Sequence, residues 1–217
     1  MADWVEVLLV RHGESQANAE GRFASRIWDP HLTEAGRLQA QALVRQLEGL
    51  EIRHLVSSPL ARARETLEPL AQARHLPVEI LPELSEVDLG DWDGRHWREL
   101  WDLEPFAAWR RDPERYPPPG GESILQVGRR VLGALARFLD QHPPGLTVAA
   151  THADCLKAAI LVVLGAEGPA ARAIYSPNLG QLLLRYGGGQ RWGIVLAPLW
   201  PAEGALWRQR GHSSRNQ

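Results

Sequence analysis

The apolar run at residues 5–10 constrains the fold more than any other stretch of the chain. Its residues are mostly apolar and β-branched, and it ends abruptly in Arg11, His12 and Gly13. Such a run is typical of a buried central strand, and the change to basic side chains marks the end of that strand. Ligands of open α/β sheets bind just outside the carboxyl ends of the strands. The run therefore predicts that Arg11 and His12 lie at a ligand-binding edge of a sheet.

Strand-like and helix-like patterns alternate along the chain from residue 5 to about residue 165. The predicted strands are short and mostly apolar, and they lie at 5–10, 53–57, 76–81 and 146–150. The predicted helices lie at 34–50, 60–74, 95–111, 123–140 and 153–164. Pro105 interrupts the helix at 95–111. This alternation predicts a largely parallel sheet that is covered by helices on both faces.

Two further apolar segments, 181–186 and 191–196, flank three glycines at 187–189. This arrangement is typical of a β-hairpin. We therefore predict an α/β fold, a three-layer α/β/α sandwich with a mostly parallel central sheet and a C-terminal antiparallel hairpin. The hairpin could form an edge that pairs with a second copy of the chain in a homodimer, or an edge that the chain itself covers.

Length, charge and cysteine content limit the classes of protein that fit. The 217 residues suit one domain at 1–200 with a solvated tail at 201–217. A formal net charge of -2 gives no reason to expect a nucleic-acid or membrane partner. Cys155 is the single cysteine, so no internal disulfide forms, and we expect a buried, small apolar side chain there. With no signal-peptide pattern at the start, we expect a cytoplasmic protein.

Four basic side chains are predicted to meet at one edge of the sheet. Arg11 and His12 leave the first strand, Arg62 follows the second, and His152 ends the strand at 146–150. The helix that begins near residue 153 would direct its free N–H groups to the same place. The sequence therefore predicts a site for a dianion, and phosphate is the natural candidate.

Six segments carry a resemblance to a known family. They are Leu-Val-Arg-His-Gly-Glu-Ser at 9–15 with Asn18, the segment 29–36, Ser-Ser-Pro-Leu-Ala-Arg-Ala at 57–63, the segment 83–94, Gly-Gly-Glu-Ser at 120–123, and Ala-Thr-His at 150–152. Together they resemble the histidine phosphatase superfamily, which contains the cofactor-dependent phosphoglycerate mutases and many phosphomonoesterases. The match extends from residue 7 to about residue 165, in the order that is usual in the family.

The resemblance implies a role for each matched residue. His12 would be the nucleophile, kept neutral by nearby positive charge. Arg11, Arg62 and a protonated His152 would bind the phosphoryl oxygens, with Asn18 as a weaker donor. Glu86 would be the general acid and base, although Glu83, Asp88, Asp91 and Asp93 compete for that role. Asn18 could instead cap the turn after the first strand. The resemblance implies no metal and no cofactor.

Three functions remain open from the sequence. The first is a phosphatase of the histidine acid type, which hydrolyses a small phosphorylated metabolite through a phosphohistidine. The second is a mutase, such as a phosphoglycerate mutase, that returns the phosphoryl group to its substrate. The short span between Trp109 and Gly121 favours the phosphatase, because the mutases carry a longer insertion there. The third is an inactive protein that binds a phospholigand.

Two irregular stretches, 20–31 and 87–121, are predicted to form the walls around the substrate. Their candidate substrate contacts are Phe23, Arg26, Trp28 and Tyr116. The tryptophans between 92 and 109 are expected to pack in the core or between helix and sheet. The chain departs from the family pattern next to the site. Ala153 and Asp154 follow His152 at positions where glycine is usual.

Overall fold

A single six-stranded sheet forms the centre of the protein. The computed structural model describes residues 4–195. Its strands are β1 (Val5–Arg11), β2 (Ile52–Ser57), β3 (Val78–Ile80), β4 (Leu146–Thr151), β5 (Gln181–Tyr186) and β6 (Trp192–Ile194). They lie in the order β3-β2-β4-β1-β5-β6. The first four strands in this order are parallel, and β5 and β6 are antiparallel to their neighbours.

Seven α-helices connect or flank the strands within residues 4–195. They are α1 (Gln16–Glu20), α2 (Glu34–Gln46), α3 (Ala61–Arg74), α4 (Trp97–Leu100), α5 (Glu104–Arg111), α6 (Ile124–Gln141) and α7 (Ala153–Leu164). Short 3-10 helices lie at Pro82–Leu84, Gly90–Trp92 and Gly168–Ala173. None of the described helices has the length and apolarity needed to cross a membrane.

The helices cover both faces of the sheet. Alternate residues of a strand point to opposite faces. Leu8 and Val10 of β1 belong to the core cluster that includes α2 and α3, whereas Val7 and Leu9 belong to the cluster of α6 and α7. The predicted three-layer α/β/α sandwich with its parallel sheet and antiparallel hairpin is therefore confirmed.

Local capping interactions set several helix boundaries. The Thr33 hydroxyl accepts a hydrogen bond from the Gly36 N–H at 3.0 Å and starts α2, as expected for an N-cap. Helix α2 ends at Gln46, before the predicted residue 50, and Gly49 lies beyond it with a φ of 81°. The predicted helix at 95–111 is two helices, because Pro105 stands in the first turn of α5. The helix α1 was not predicted.

The C-terminal hairpin has a turn that requires left-handed backbone. Gly188 and Gly189 have φ angles of 77° and 57°, which glycine adopts without strain. The second predicted hairpin strand, 191–196, is shorter in the structure, and residue 196 lies outside the described residues. The predicted tail at 201–217 also lies outside them, so the division into a domain and a tail stays a prediction.

A close approach of two glycines fixes the loop that follows β1. A Cβ atom at Gly36 would lie 2.1 Å from the Glu14 carbonyl oxygen, and one at Gly13 would lie 2.8 Å from the Gly36 carbonyl oxygen. Any larger side chain would push the loop away from α2. The absence of both side chains therefore lets the residue after His12 pack directly against α2.

Candidate active site

The parallel pairing of β1 with β4 brings the two predicted histidines together. Arg11 lies beside Thr151, and the His12 N–H donates to the Thr151 carbonyl at 2.9 Å. The rings of His12 and His152 are edge-to-face, with centroids 5.1 Å apart. From α3, the Thr66 hydroxyl accepts a hydrogen bond from the Gly13 N–H at 3.0 Å. Three separate elements thus hold His12 at the carboxyl edge of the sheet.

The hydrogen bonds of His12 determine which ring nitrogen can act as a nucleophile. Its Nδ1 lies 2.6 Å from the Gly13 carbonyl oxygen, and a carbonyl can only accept, so Nδ1 carries the proton. Nε2 therefore keeps its lone pair, and the Arg62 Nε–H donates to it at 3.2 Å. Burial, followed by the charges of Arg62 and Arg11, lowers the pKa of His12 well below its ordinary value. The ring is neutral at neutral pH.

Arg62 is buried beneath the site and is fixed at several points. Its Nη2 donates to the Ala24 carbonyl at 2.9 Å, and its Nη1 lies 3.7 Å from Asp29 Oδ1. The Asp29 carboxylate also accepts from the Ala61 N–H and so caps α3. The arginine is thereby held at the position where its Nε faces His12.

His152 lies behind His12 and is completely buried. Its Nε2 is hydrogen-bonded to the Ser58 hydroxyl at 2.8 Å. Burial, followed by the charges of Arg62 and His12, lowers the pKa of His152 well below its ordinary value. Burial therefore favours the neutral ring in the free protein, because desolvation of a charged imidazole is costly, and protonation of His152 in a phosphate complex stays a prediction.

Three buried nitrogen atoms around His12 have no hydrogen-bond partner among residues 4–195. They are Arg11 Nε, Arg62 Nη1 and His152 Nδ1. Buried polar nitrogens are rarely left without a partner, because each costs about 1–3 kcal/mol. Arg11 is otherwise fixed by a hydrogen bond of 2.6 Å from its Nη1 to the Ser176 carbonyl. The site therefore offers unsatisfied nitrogen atoms next to a nucleophile, two of them on positively charged guanidinium groups, as an oxyanion requires.

Glu86 is the carboxylic acid that lines the cleft beside the histidines. It is 9% exposed, and its Oε1 accepts hydrogen bonds from the Val87 N–H at 2.9 Å and the Asp154 N–H at 3.3 Å. Burial, with a further contribution from the Asp154 carboxylate, raises the pKa of Glu86 to about 7. A carboxylic acid with this pKa can hold a proton near neutral pH and release it during catalysis.

The acids that compete with Glu86 are engaged elsewhere. Glu83 pairs with Arg137 at 2.6 Å, and Asp88 accepts from the Gly90 N–H at 3.0 Å. Asp93 accepts from the backbone N–H groups of residues 25–27. Asp91 is exposed. None of these four is among the residues that line the cleft.

The structure is compatible with both roles that the sequence left open for Asn18, the cap of a turn and a donor to phosphate. Its Oδ1 accepts from the Ser15 N–H at 3.1 Å and from Asn178 Nδ2 at 3.0 Å, which completes the N-terminal cap of α1. Asn18 also lines the cleft. The cap is confirmed, and a contact of the amide with phosphate stays a prediction.

The cleft has a volume of about 450 Å³. Among the predicted substrate contacts, Phe23 lines it, but Arg26, Trp28 and Tyr116 do not. Arg26 pairs on the surface with Asp88 at 3.4 Å and is withdrawn by that contact. Tyr116 is 40% exposed and is not among the residues that line the cleft. The three predictions outside the cleft lining are therefore not supported.

Several residues of the cleft were not predicted as site residues. They are Arg22, Trp97, Trp109, Asp154 and Lys157. Trp92 is in the core and Trp109 packs against it, as expected, although Trp109 also lines the cleft. Trp97 and Trp101 are 36% and 48% exposed, so the expectation does not hold for these two, and Trp97 forms a cleft wall. Asp154 and Lys157 are three residues apart on the helix that follows His152, and this spacing was a signal that could have identified them.

The single cysteine follows its prediction. Cys155 is fully buried, and burial raises the pKa of its thiol to about 12.

Within residues 4–195, no three His, Cys, Asp or Glu side chains form a group that could hold a metal ion. The charged groups in the cleft are instead organised around His12.

Comparison with known proteins places this geometry in a family. A model of the histidine phosphatase superfamily (branch 1) matches residues 7–197. The adenosylcobalamin/alpha-ribazole phosphatase of Escherichia coli is 37% identical over 160 residues, which cover 72% of this chain and 78% of that protein. A probable phosphoglycerate mutase GpmB of Cronobacter sakazakii is 35% identical over 178 residues, covering 80% and 81%.

Solved structures agree with the sequence comparison. The mycobacterial glucosyl-3-phosphoglycerate phosphatase superposes with a TM-score of 0.79 at 26% identity, covering 89% of this chain and 98% of that one. The family match, the fold and the arrangement around His12 therefore lead to one conclusion. The chain belongs to the histidine phosphatase superfamily.

Proposed function

We propose that the protein is a metal-independent phosphomonoesterase of the histidine acid type that works through a phosphohistidine on His12. The observation that carries the proposal is the neutral His12 with a free Nε2 lone pair beside Arg62, in a cleft that also contains Glu86, whose pKa is raised to about 7. A nucleophile, an anion site and a general acid are the three parts that phosphoryl transfer needs.

In the first step, His12 Nε2 attacks phosphorus and the bond from phosphorus to the ester oxygen breaks. The leaving oxygen takes the proton of Glu86. Arg62 Nε, which donates to Nε2 in the free protein, turns to a phosphoryl oxygen as the N–P bond forms. Arg11 Nε, Arg62 Nη1 and His152 Nδ1 gain partners in the same step, so their desolvation is compensated only when the phosphoryl group is bound.

In the second step, water attacks the phosphohistidine. The Glu86 carboxylate now accepts a proton from that water, and the N–P bond breaks to release inorganic phosphate and neutral His12. Glu86 therefore returns to its protonated form at the end of the cycle. One carboxyl group serves both steps because its pKa of about 7 lies near the working pH.

The cleft sets the class of substrate. Its volume of about 450 Å³ is suitable for a small metabolite. The side chains of Phe23, Trp97 and Trp109 form aromatic walls for the organic part of the substrate, to which the phosphate is attached. The related proteins act on an alpha-ribazole phosphate and a glucosyl-3-phosphoglycerate, according to their names. We propose that this protein acts on a small phosphomonoester, as a cytoplasmic enzyme without a nucleic-acid or membrane partner. Assembly into a homodimer stays a prediction.

A mutase is the second candidate. The relative named a probable phosphoglycerate mutase favours it, because such an enzyme would use the same phosphohistidine. It differs only in the acceptor, which is a second substrate hydroxyl instead of water. The span from Trp109 to Gly121 contains the end of α5 and the loop that follows it. This short span disfavours a mutase, because the mutases carry a longer insertion there.

Turnover of a panel of phosphorylated metabolites, with release of inorganic phosphate as the readout, tests the proposal. We expect hydrolysis of at least one small monoester. Interconversion of 2- and 3-phosphoglycerate after priming with bisphosphoglycerate, without hydrolysis of any ester, would establish the mutase. Binding of inorganic phosphate in calorimetry without turnover of either kind would instead indicate an inactive phospholigand-binding protein.

The raised pKa of Glu86 predicts a pH limit on activity. The general acid must be protonated, so kcat/KM for an alkyl phosphate is expected to fall as the pH rises through about 7. Glu86→Gln removes the acid, so we expect kcat/KM to fall by about 10²–10⁴-fold. The activity that remains should not decrease as the pH rises through about 7. The measurement is kcat/KM from pH 4 to pH 9. The loss should be smaller for p-nitrophenyl phosphate, whose leaving group needs less protonation, and an equal loss for both esters would contradict the role.

A further inference from the structure

The first turn of α7 brings an unusual ion pair into the cleft. The Lys157 ammonium lies 2.9 Å from Asp154 Oδ1, and the two side chains are only 26% and 18% exposed. Asp154 raises the pKa of Lys157, so the amine stays protonated. Lys157 is the single lysine of the chain, and Asp154 lies two residues after His152. The pair places one negative and one positive charge in the cleft, and the steps proposed above assign no role to either.

Asp154 also contacts the general acid directly. Its N–H donates to Glu86 Oε1 at 3.3 Å, and the Val87 N–H donates to the same oxygen at 2.9 Å. Two N–H donors occupy Oε1, so a proton on Glu86 must reside on Oε2. The backbone of Asp154 thus selects the oxygen that carries the proton.

The charges around Glu86 oppose one another. Those that face it from the packed elements are Arg11 of β1, Arg62 of α3, Arg130 of α6, and Asp154, Cys155 and Lys157 of α7. Arg130 donates to the Glu86 carbonyl at 3.0 Å, but its guanidinium is already paired with Glu122 at 2.8 Å. Arg62 and Arg11 favour the carboxylate, whereas burial and the charge of Asp154 favour the neutral acid. Asp154 therefore acts on Glu86 in the direction opposite to the two arginines.

We propose that the Asp154–Lys157 pair keeps the catalytic proton on Glu86, with Asp154 as a positioning residue and Lys157 as the charge that limits its effect. The inference rests on the proposed function, in which Glu86 is the general acid. Asp154 holds Glu86 in place through its N–H and repels the ionised form through its carboxylate. Lys157 screens that repulsion, so the two residues act on Glu86 in opposite directions.

The test uses two substitutions with opposite expected signs. Asp154→Asn keeps the shape and the N–H donor but removes the charge, so the basic limb of kcat/KM for an alkyl phosphate should move to lower pH by about one unit. Lys157→Met removes the screening charge, and the limb should move to higher pH. The control is Glu48→Gln, which removes a carboxylate at an exposed position after α2 and should leave the limb in place. Limbs that stay fixed, or that move in the same direction in both variants, would overturn the proposal.

A titration that needs no turnover separates this inference from the proposed function. The carboxyl carbon of Glu86 is followed by ¹³C NMR in the full chain and assigned by its loss in Glu86→Gln. The midpoint is expected to be lower in Asp154→Asn and higher in Lys157→Met than in the native chain. Unchanged midpoints would overturn the proposal even in an active enzyme. Shifted midpoints in a protein that hydrolyses no ester would uphold the coupling and overturn only the phosphatase function.

Discussion

Replacing His12 with asparagine is expected to lower kcat/KM for p-nitrophenyl phosphate by at least about 10⁴-fold, the scale of loss when a covalent nucleophile is removed. Asparagine can still donate to the Gly13 carbonyl that now accepts from His12 Nδ1, so the loop after β1 keeps its hydrogen bond. It has no ring nitrogen in the place of Nε2, and no covalent intermediate can form. The measurement is steady-state hydrolysis with a check of folding by circular dichroism.

The same substitution at an exposed histidine provides the control. His75 follows α3 with a φ of 53°, a left-handed conformation that asparagine tolerates, so His75→Asn should retain full activity. Rapid quenching of the native enzyme should also trap a phosphoenzyme that is stable in base and labile in acid, which His12→Asn cannot form. Full activity of His12→Asn would show that another residue is the nucleophile.

The location of the site could be predicted from the sequence because it follows from topology. Parallel strands place all their carboxyl ends at one edge, so residues that follow separate strands converge whatever the details of packing. His12 after β1, Arg62 after β2 and His152 after β4 obey this rule, and the structure brings them together. The alternating patterns that defined the strands and helices also define the two faces of the core.

The protonation states and the substrate walls could not be predicted in the same way. The charge on His152 depends on complete burial behind His12, which no spacing in the sequence reveals. The walls come from irregular segments, where side-chain direction depends on contacts between distant residues. Arg26 pairs with Asp88 and does not line the cleft. Trp97 does line it, and its backbone N–H donates to the Gly21 carbonyl.

Substituting Arg62 with lysine is expected to lower kcat/KM by about 10²–10³-fold, the loss typical when one charge-stabilising donor is removed. The guanidinium donates to His12 Nε2 and the Ala24 carbonyl from two different nitrogens, and Nη1 remains for a phosphoryl oxygen. A lysine ammonium keeps the charge, but it is a single point that cannot span these positions. The measurement is kcat/KM together with inhibition by vanadate, which mimics the transition state and should weaken in parallel.

The matched control is Arg64→Lys, an exposed substitution on the same helix two residues later. It should leave both kcat/KM and vanadate inhibition unchanged. Arg62 also supports the buried loop at Ala24, so a thermal melt must accompany the kinetics. The expected result is a folded Arg62→Lys protein with a lowered kcat/KM. A folded variant that keeps kcat/KM within about threefold would show that the guanidinium supports the loop and does not hold the phosphoryl group. The anion site would then have to be assigned to Arg11 and His152, whose Nε and Nδ1 atoms also lack a hydrogen-bond partner among residues 4–195.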